Sequence, residues 1–252
     1  MKVKFLKHFF LGAALLSTSL MATEAQAFTF NVTEAQNLKE QNQELFRFFR
    51  NSVNQERNHL AENQLTPLDA NDLLFNTAKG VEVYFIHEGA GYKNQILFSA
   101  DGAEPEILFE NASKRGSGGS MSYGEGLVIN DFDGLPEIAQ FDLFIASDGY
   151  RNPNARNNLY GADASKNSDG INHITAFSHV DEKTGERYTF MGFEDLPNGG
   201  DRDFNDVVLV VRGVSDSADD LVEVPEPAST TAMLGLGAVG VMIRRKRSST
   251  LA

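Results

Sequence analysis

The chain has 252 residues, a formal net charge of −13, no cysteine and no tryptophan. An acid surplus on this scale excludes a general nucleic-acid binder, which needs a basic face to meet phosphates. Zero cysteine excludes disulfides, thiol catalysis, thiolate zinc sites and lipoprotein anchoring.

At the start, Lys2, Lys4 and Lys7 precede an apolar run over residues 9–20, and Ala25-Gln26-Ala27 closes the segment. That order predicts a secretory signal peptide over residues 1–27, cut by signal peptidase before Phe28. The competing reading, a transmembrane anchor, calls for a longer apolar run. This segment and the C-terminal tail are both net basic, so the body between them is more acidic than the whole chain. Such a body suits a soluble extracellular protein, or one that gathers cations. Without disulfides, an exported domain must fix its loops another way, and bound Ca2+ is one such way.

Thr33-Glu34-Ala35-Gln36 has the form of a capping box. Apolar residues then recur at Leu38, Leu45, Phe48, Phe49, Val53 and Leu60, spacings that predict an amphipathic helix. It runs to about residue 63, with Thr66-Pro67 ending it. Residues 28–71 therefore read as a helical N-terminal extension. Its apolar face either packs on the domain that follows or serves self-association or a partner.

From Gly80 the texture becomes that of strands. Short strands are predicted over residues 81–86, 95–99, 106–109, 126–129, 140–146, 174–178, 187–192 and 207–212. Turn-rich pieces such as Asp101-Gly102, Asp133-Gly134 and Asp148-Gly149 separate them. The fold class is mostly β: an antiparallel β-sandwich or jelly-roll-like domain over residues 72–214, with the N-terminal amphipathic helix attached.

Two loops in this domain alternate oxygen-bearing side chains. In Asp201-Arg-Asp203-Phe-Asn205-Asp206 the donors fall as in the first half of a calcium loop. The pattern departs from an EF-hand at Asp206, where that loop needs Gly, and at Arg212, where it needs Glu. Glu194 and Asp195 can join from across the Pro197-Asn198-Gly199-Gly200 turn. The metal reading is Ca2+ held by these six residues; the competing one is a solvated turn with capping carboxylates. The second loop offers Asp163, Asn167 and Asp169 before Gly170. It is a second site, a supplement to the first, or an ordinary Asp-Gly loop.

Residues 215–223 read as an acidic linker, expected to be flexible. Pro225-Glu226-Pro227 follows, then an apolar stretch over residues 228–243 and Arg244-Arg245-Lys246-Arg247. Basic clusters after apolar segments stay cytoplasmic, and the stretch is short for a permanent span. Residues 224–252 resemble the PEP-CTERM sorting signal of Gram-negative bacteria. The resemblance implies recognition by an exosortase, a transient inner-membrane anchor and delivery to the cell surface or extracellular matrix. A simple C-terminal membrane anchor is the competing reading.

The segments His87-Glu88-Gly-Ala-Gly-Tyr92-Lys-Asn94, Asp163 to His173 and Gly192-Phe-Glu194-Asp195 through Asp206-Val-Val are similar to domain of unknown function 4114. The likeness covers residues 75–214. It implies a β-rich secreted bacterial domain, fits a calcium role and supplies no activity.

Three functions follow as expectations. The first is a structural or adhesive surface protein with a calcium-binding β domain. The second is a module for exopolysaccharide, with a groove lined by Tyr92, Tyr123, Tyr150 or Tyr160. The third is a hydrolase using Glu88, Glu194 or Asp195. No Ser lies in a Gly-x-Ser-x-Gly pattern, and clustered acids without a partner base are ordinary metal ligands or turns, so the expectation is a protein that is not an enzyme.

Overall fold

The structure is a computed structural model and describes residues 28–54 and 65–222. The expected signal peptide, the expected end of the helix near residue 63 and the sorting signal, with Pro225, Glu226 and Pro227, lie outside the described residues.

Among the described residues, twelve strands form two antiparallel sheets. They are β1 (Thr29–Glu34), β2 (Thr66–Leu68), β3 (Leu74–Asn76), β4 (Val81–His87), β5 (Gln95–Ala100) and β6 (Glu106–Phe109), then β7 (Gly126–Asp133), β8 (Ile138–Ala146), β9 (Ile174–Val180), β10 (Arg187–Phe193), β11 (Val207–Arg212) and β12 (Val214–Ser215). The larger sheet runs β1-β7-β4-β11-β10-β9-β2 and the smaller β12-β3-β8-β5-β6. All eight predicted strands are present, as β4 to β11.

The side-chain period of two sorts the larger sheet's residues between two cores. Val81, Val83 and Phe85 of β4 and Val207, Leu209 and Val211 of β11 face the smaller sheet, against Ile96, Phe98, Phe141 and Ile145. Tyr84, Ile86, Tyr188, Phe190, Val208 and Val210 face the other way. Over them lies helix α2 (Gln43–Asn51), which buries Leu45, Phe46 and Phe49. A sheet covered on both faces needs apolar side chains at consecutive positions. That is why residues 207–211 read as an unbroken apolar run.

The N-terminal segment departs from its expected form. Thr33, expected to cap a helix, lies in β1 and pairs with Val128 of β7. Helical backbone begins later, with a short turn α1 (Leu38–Gln41) and then α2. Asn37 and Asn42 supply the caps, accepting from the backbone N–H of Lys39 at 2.9 Å and of Leu45 at 3.0 Å. Strands β1 and β2 form the two edges of the larger sheet, so Thr29–Glu34 and Thr66–Leu68 belong to the sandwich. In the acidic stretch after β11, expected to be a flexible linker, Asp216, Ala218, Asp219, Asp220 and Val222 are exposed, while two residues are held against the domain. Ser215 belongs to β12, and Leu221 is buried.

Candidate metal centre

The acidic loop joins β10 to β11. Their ladder ends with Phe193 opposite Val207, so Glu194 and Asp206 are the first residues beyond the pairing on either arm. The backbone N–H of Asp206 reaches Phe193 O at 3.2 Å, and that of Asp195 donates to Asp206 Oδ2 at 2.8 Å. The hairpin thus brings together acids twelve positions apart in the chain.

Two carboxylate triads result, sharing Glu194. One is Glu194, Asp201 and Asp203; the other is Glu194, Asp195 and Asp206; within each, one oxygen per residue lies within 4.8 Å of the others. Two ligand atoms on opposite sides of a Ca2+ ion are about 4.8 Å apart, given Ca–O distances near 2.4 Å. The spacing and the all-oxygen donor set therefore fit one hard cation per triad. Glu194 is 1 % exposed and Asp195 3 %, while Asp201 is at the surface. Depth and an open side coexist in one cluster.

Close-set buried carboxylates resist ionisation. Burial above all, with the charges of Asp201 and Asp195, pushes Glu194 up to about 7. Burial and the Asp195 charge push Asp206 up to about 8. Asp195 is raised too, chiefly by burial, against a hydrogen bond from Asn94 Nδ2 at 2.6 Å. A bound divalent cation reverses this balance by favouring the ionised forms.

The loop is tightly wound. Asn198, Arg202 and Phe204 all have positive φ, at 64°, 59° and 52°. Gly200 is required at its position: φ is +43°, and a Cβ there would lie 2.1 Å from Glu194 Oε1. Non-glycine residues at positive φ cost energy that the surrounding contacts must offset. Here Glu194 accepts from the Leu196 N–H at 3.3 Å and the Arg202 N–H at 3.2 Å, while Asn205 Nδ2 donates to Asp203 Oδ2 at 2.6 Å. Asn205, a candidate ligand in the sequence, acts in this geometry as a brace.

Neighbouring elements hold the loop from outside. After α2, Asn54 donates to Asp203 O at 2.8 Å and receives Asn205 Nδ2 at 3.0 Å. From the β4–β5 connection, the Gly89 N–H meets Asn205 O at 3.1 Å. A cleft of about 480 Å³ opens beside the cluster, lined by Arg50, His87, Asp201, Asp203, Asn205 and Asp206 among others. Burial, with Arg50 and Lys114 nearby, lowers His87 to about 4 and keeps it neutral.

The acids of the second loop belong to neither triad. Asp163 turns back to the N–H and hydroxyl of Ser165, at 3.0 and 2.7 Å, and meets Lys166 at 3.5 Å. Asn167 fastens its own loop through Gly161 and Ile171. Asp169 alone reaches the first loop: it accepts from the Asn198 N–H at 2.6 Å and bonds His173 Nε2 at 3.0 Å. Burial opposes its charge, but these bonds prevail and its carboxyl sits below the usual range. Asn54 and Asn94 are the supporting residues with the faintest signal in the chain. Asn94 occurs in a quoted segment with nothing in its spacing to link it to the acids, whereas the place of His173 just after the Asp-Gly turn suits a residue that orients a carboxylate or bonds backbone, and here it does both.

Among the other candidates, Glu88 is buried and engaged, with Lys93 Nζ at 3.5 Å and Ser117 Oγ at 3.1 Å. Tyr160 is buried under His173, with ring centroids 4.1 Å apart, and Tyr123 packs against Arg50 and Phe85. Tyr92 and Tyr150 are exposed.

A family model described as Domain of unknown function (DUF4114) matches residues 135–214, and one described as the PEP-CTERM protein-sorting motif matches residues 223–247. Residues 135–214 are thus similar to DUF4114, and a stretch similar to the PEP-CTERM sorting motif follows them. The DUF4114 match spans β8 to β11 and includes both acidic loops, while β1 to β7 precede it. The PEP-CTERM motif marks an exported protein recognised by an exosortase. No curated protein and no solved structure matches the chain.

Proposed function

We propose that this exported protein is a structural or adhesive component of the Gram-negative cell surface or extracellular matrix, and that its β domain is stabilised by Ca2+ held in the Glu194 cluster. The observation that carries the reading is the pair of carboxylate triads sharing a buried Glu194 at the end of the β10–β11 ladder. In a chain without cysteine, a cation there would tie the strained loop to Asn94 and to the segment after α2. Glu194, Asp195, Asp201, Asp203 and Asp206 would be the ligands, with ionised carboxylates replacing protonated ones. Its role would be that of a cross-link, fixing loops that a disulfide fixes elsewhere.

Thermal unfolding of the 28–222 domain in Ca2+, in Mg2+ and in chelator tests this. A ligand at a hundred times its dissociation constant adds about 2.7 kcal/mol, so Ca2+ should raise the midpoint by several degrees. Glu194→Gln and Asp203→Asn should each remove most of that rise. An unchanged midpoint in saturating Ca2+ overturns the reading.

A second reading, exopolysaccharide binding, is favoured by one observation. Tyr92 and Tyr150 are 41 % and 50 % exposed, and the Tyr150 N–H bonds Lys93 O at 3.0 Å, so the two aromatic residues stand on adjacent backbones. Loss of polysaccharide retention in a Tyr92→Ala/Tyr150→Ala variant would support it, and unaltered retention would remove it. We read the protein as non-enzymatic, since Glu88 is already engaged by Lys93 and Ser117.

A further inference from the structure

We propose that residues 214–222 form a latch that must open before the sorting motif can be processed. The chain does not leave the domain at the end of β11. Val214 and Ser215 pair with Phe75 and Leu74 of β3, and both are buried. Ser215 Oγ then donates to Asp220 Oδ2 at 2.8 Å, and Arg187 Nη2 reaches the same carboxylate at 3.2 Å. Leu221 is 7 % exposed, beside a cleft of about 390 Å³ lined by Asn76, Arg187, Arg212 and Asp220 among others.

This anchoring reaches almost to the motif. The sorting match begins at residue 223, and Pro225 stands four positions after Leu221. Four residues span at most about 14 Å even when fully extended. An enzyme that reads a peptide takes several consecutive residues in extended form, with their backbone groups free. With Leu221 seated, an exosortase holding Pro225-Glu226-Pro227 would have to occupy the space next to β3. Releasing residues 214–221 adds eight residues of tether, up to about 29 Å.

The latch suits local opening. Its ladder has only two residue pairs, Leu221 is the one buried apolar side chain beyond β12 among the described residues, and the Arg187–Asp220 pair is more than a third exposed on both sides. Segments with few buried contacts open without global unfolding. Where opening is fast relative to cleavage, cleavage tracks the open population. The sandwich would thereby set the rate at which its own tail is handed to the exosortase, independently of any metal in the Glu194 cluster.

Pulse-chase processing of the full chain, in cells containing its exosortase, tests this. Two variants are compared with the native chain: Leu221→Ser, which loosens the latch, and a ten-residue Gly/Ser insertion after Val222, which supplies reach with the latch closed. Both should shorten the processing half-time, Leu221→Ser by about tenfold if it costs the latch about 1.4 kcal/mol. Adding Leu221→Ser to the insertion should give no further gain. The insertion leaves the domain untouched, so an inserted chain processed at the native rate overturns the proposal even if Leu221→Ser misfolds. A positive result stands whether or not Ca2+ shifts the thermal midpoint.

Discussion

His173 and Asp169 join the two acidic loops: Nε2 lies 3.0 Å from Asp169 Oδ2, while Nδ1 faces Glu194 O at 2.8 Å on the other side of the ring. The side chain is fully buried and stacked on Tyr160. Its ring thus fixes the backbone from which the central carboxylate projects. His173→Ala removes a packed ring and both polar contacts, and leaves Asp169 and the Glu194 carbonyl partly unsatisfied. We expect a loss of about 3 kcal/mol in urea unfolding. Asp169→Asn keeps an acceptor for the Asn198 N–H and should cost less than half as much.

Gly200 gives a sharper test of the loop itself. A Cβ at this position meets Glu194 Oε1 at 2.1 Å, and the backbone is already in a region that L residues avoid. Gly200→Ala should therefore destabilise the metal-free domain by about 1–3 kcal/mol. It should also blunt the Ca2+-induced rise in thermal midpoint, because Glu194 must move. An alanine variant with native stability and a full Ca2+ response would show that the loop relaxes freely.

How far the sequence reveals this arrangement depends on the range of each contact. The run over residues 207–211 is legible as a buried strand because both its faces are covered, so every position carries the signal. Strand β1 is not, because the local Thr33–Gln36 pattern competes with a pairing to β7 about a hundred residues away. Strands β3 and β12, with three and two residues, are too short to show alternation. The five acids of the candidate centre are legible because one hairpin carries them. Asp163 and Asn167 show the same alternation of oxygens, yet their side chains serve their own loop, as Asp and Asn do in turns. Asn54 and Asn94 reach the site only through the meeting of separate connections.

Phe49 should dominate the outer core. Its ring is fully buried, stacks on Phe190 at 6.0 Å and meets Tyr188 and His179 edge-on. Phe49→Ala should cost about 3–5 kcal/mol, measured by urea unfolding. Because Asn54 follows the same helix and contacts Asp203 and Asn205, the variant should also lower Ca2+ affinity in calorimetry. Phe48→Ala, at a half-buried position stacked on His179, should cost less.

The raised carboxylates predict how the metal-free domain responds to pH. Glu194 and Asp206 titrate near 7 and 8 when folded, against ordinary values near 4.5 and 3.8. Between those limits the folded state binds more protons than the unfolded chain, so stability falls as pH rises. Their contribution is complete below about pH 4 and is lost as pH passes 7 to 8. His87 acts oppositely: lowered to about 4 when folded, it adds stability as pH climbs to about 6.5, its ordinary value. Above pH 6.5 that term is exhausted, and the carboxylates alone set the slope from these groups. In chelator, the thermal midpoint should therefore fall between pH 6.5 and 9, and Asp206→Asn should flatten the fall. Ca2+ binds the ionised forms, so its stabilising effect should be greater at pH 8 than at pH 5. A midpoint in chelator that rises from pH 6.5 to 9 would contradict the protonation pattern of the cluster, and an Asp206→Asn slope equal to the native one would remove Asp206 from it.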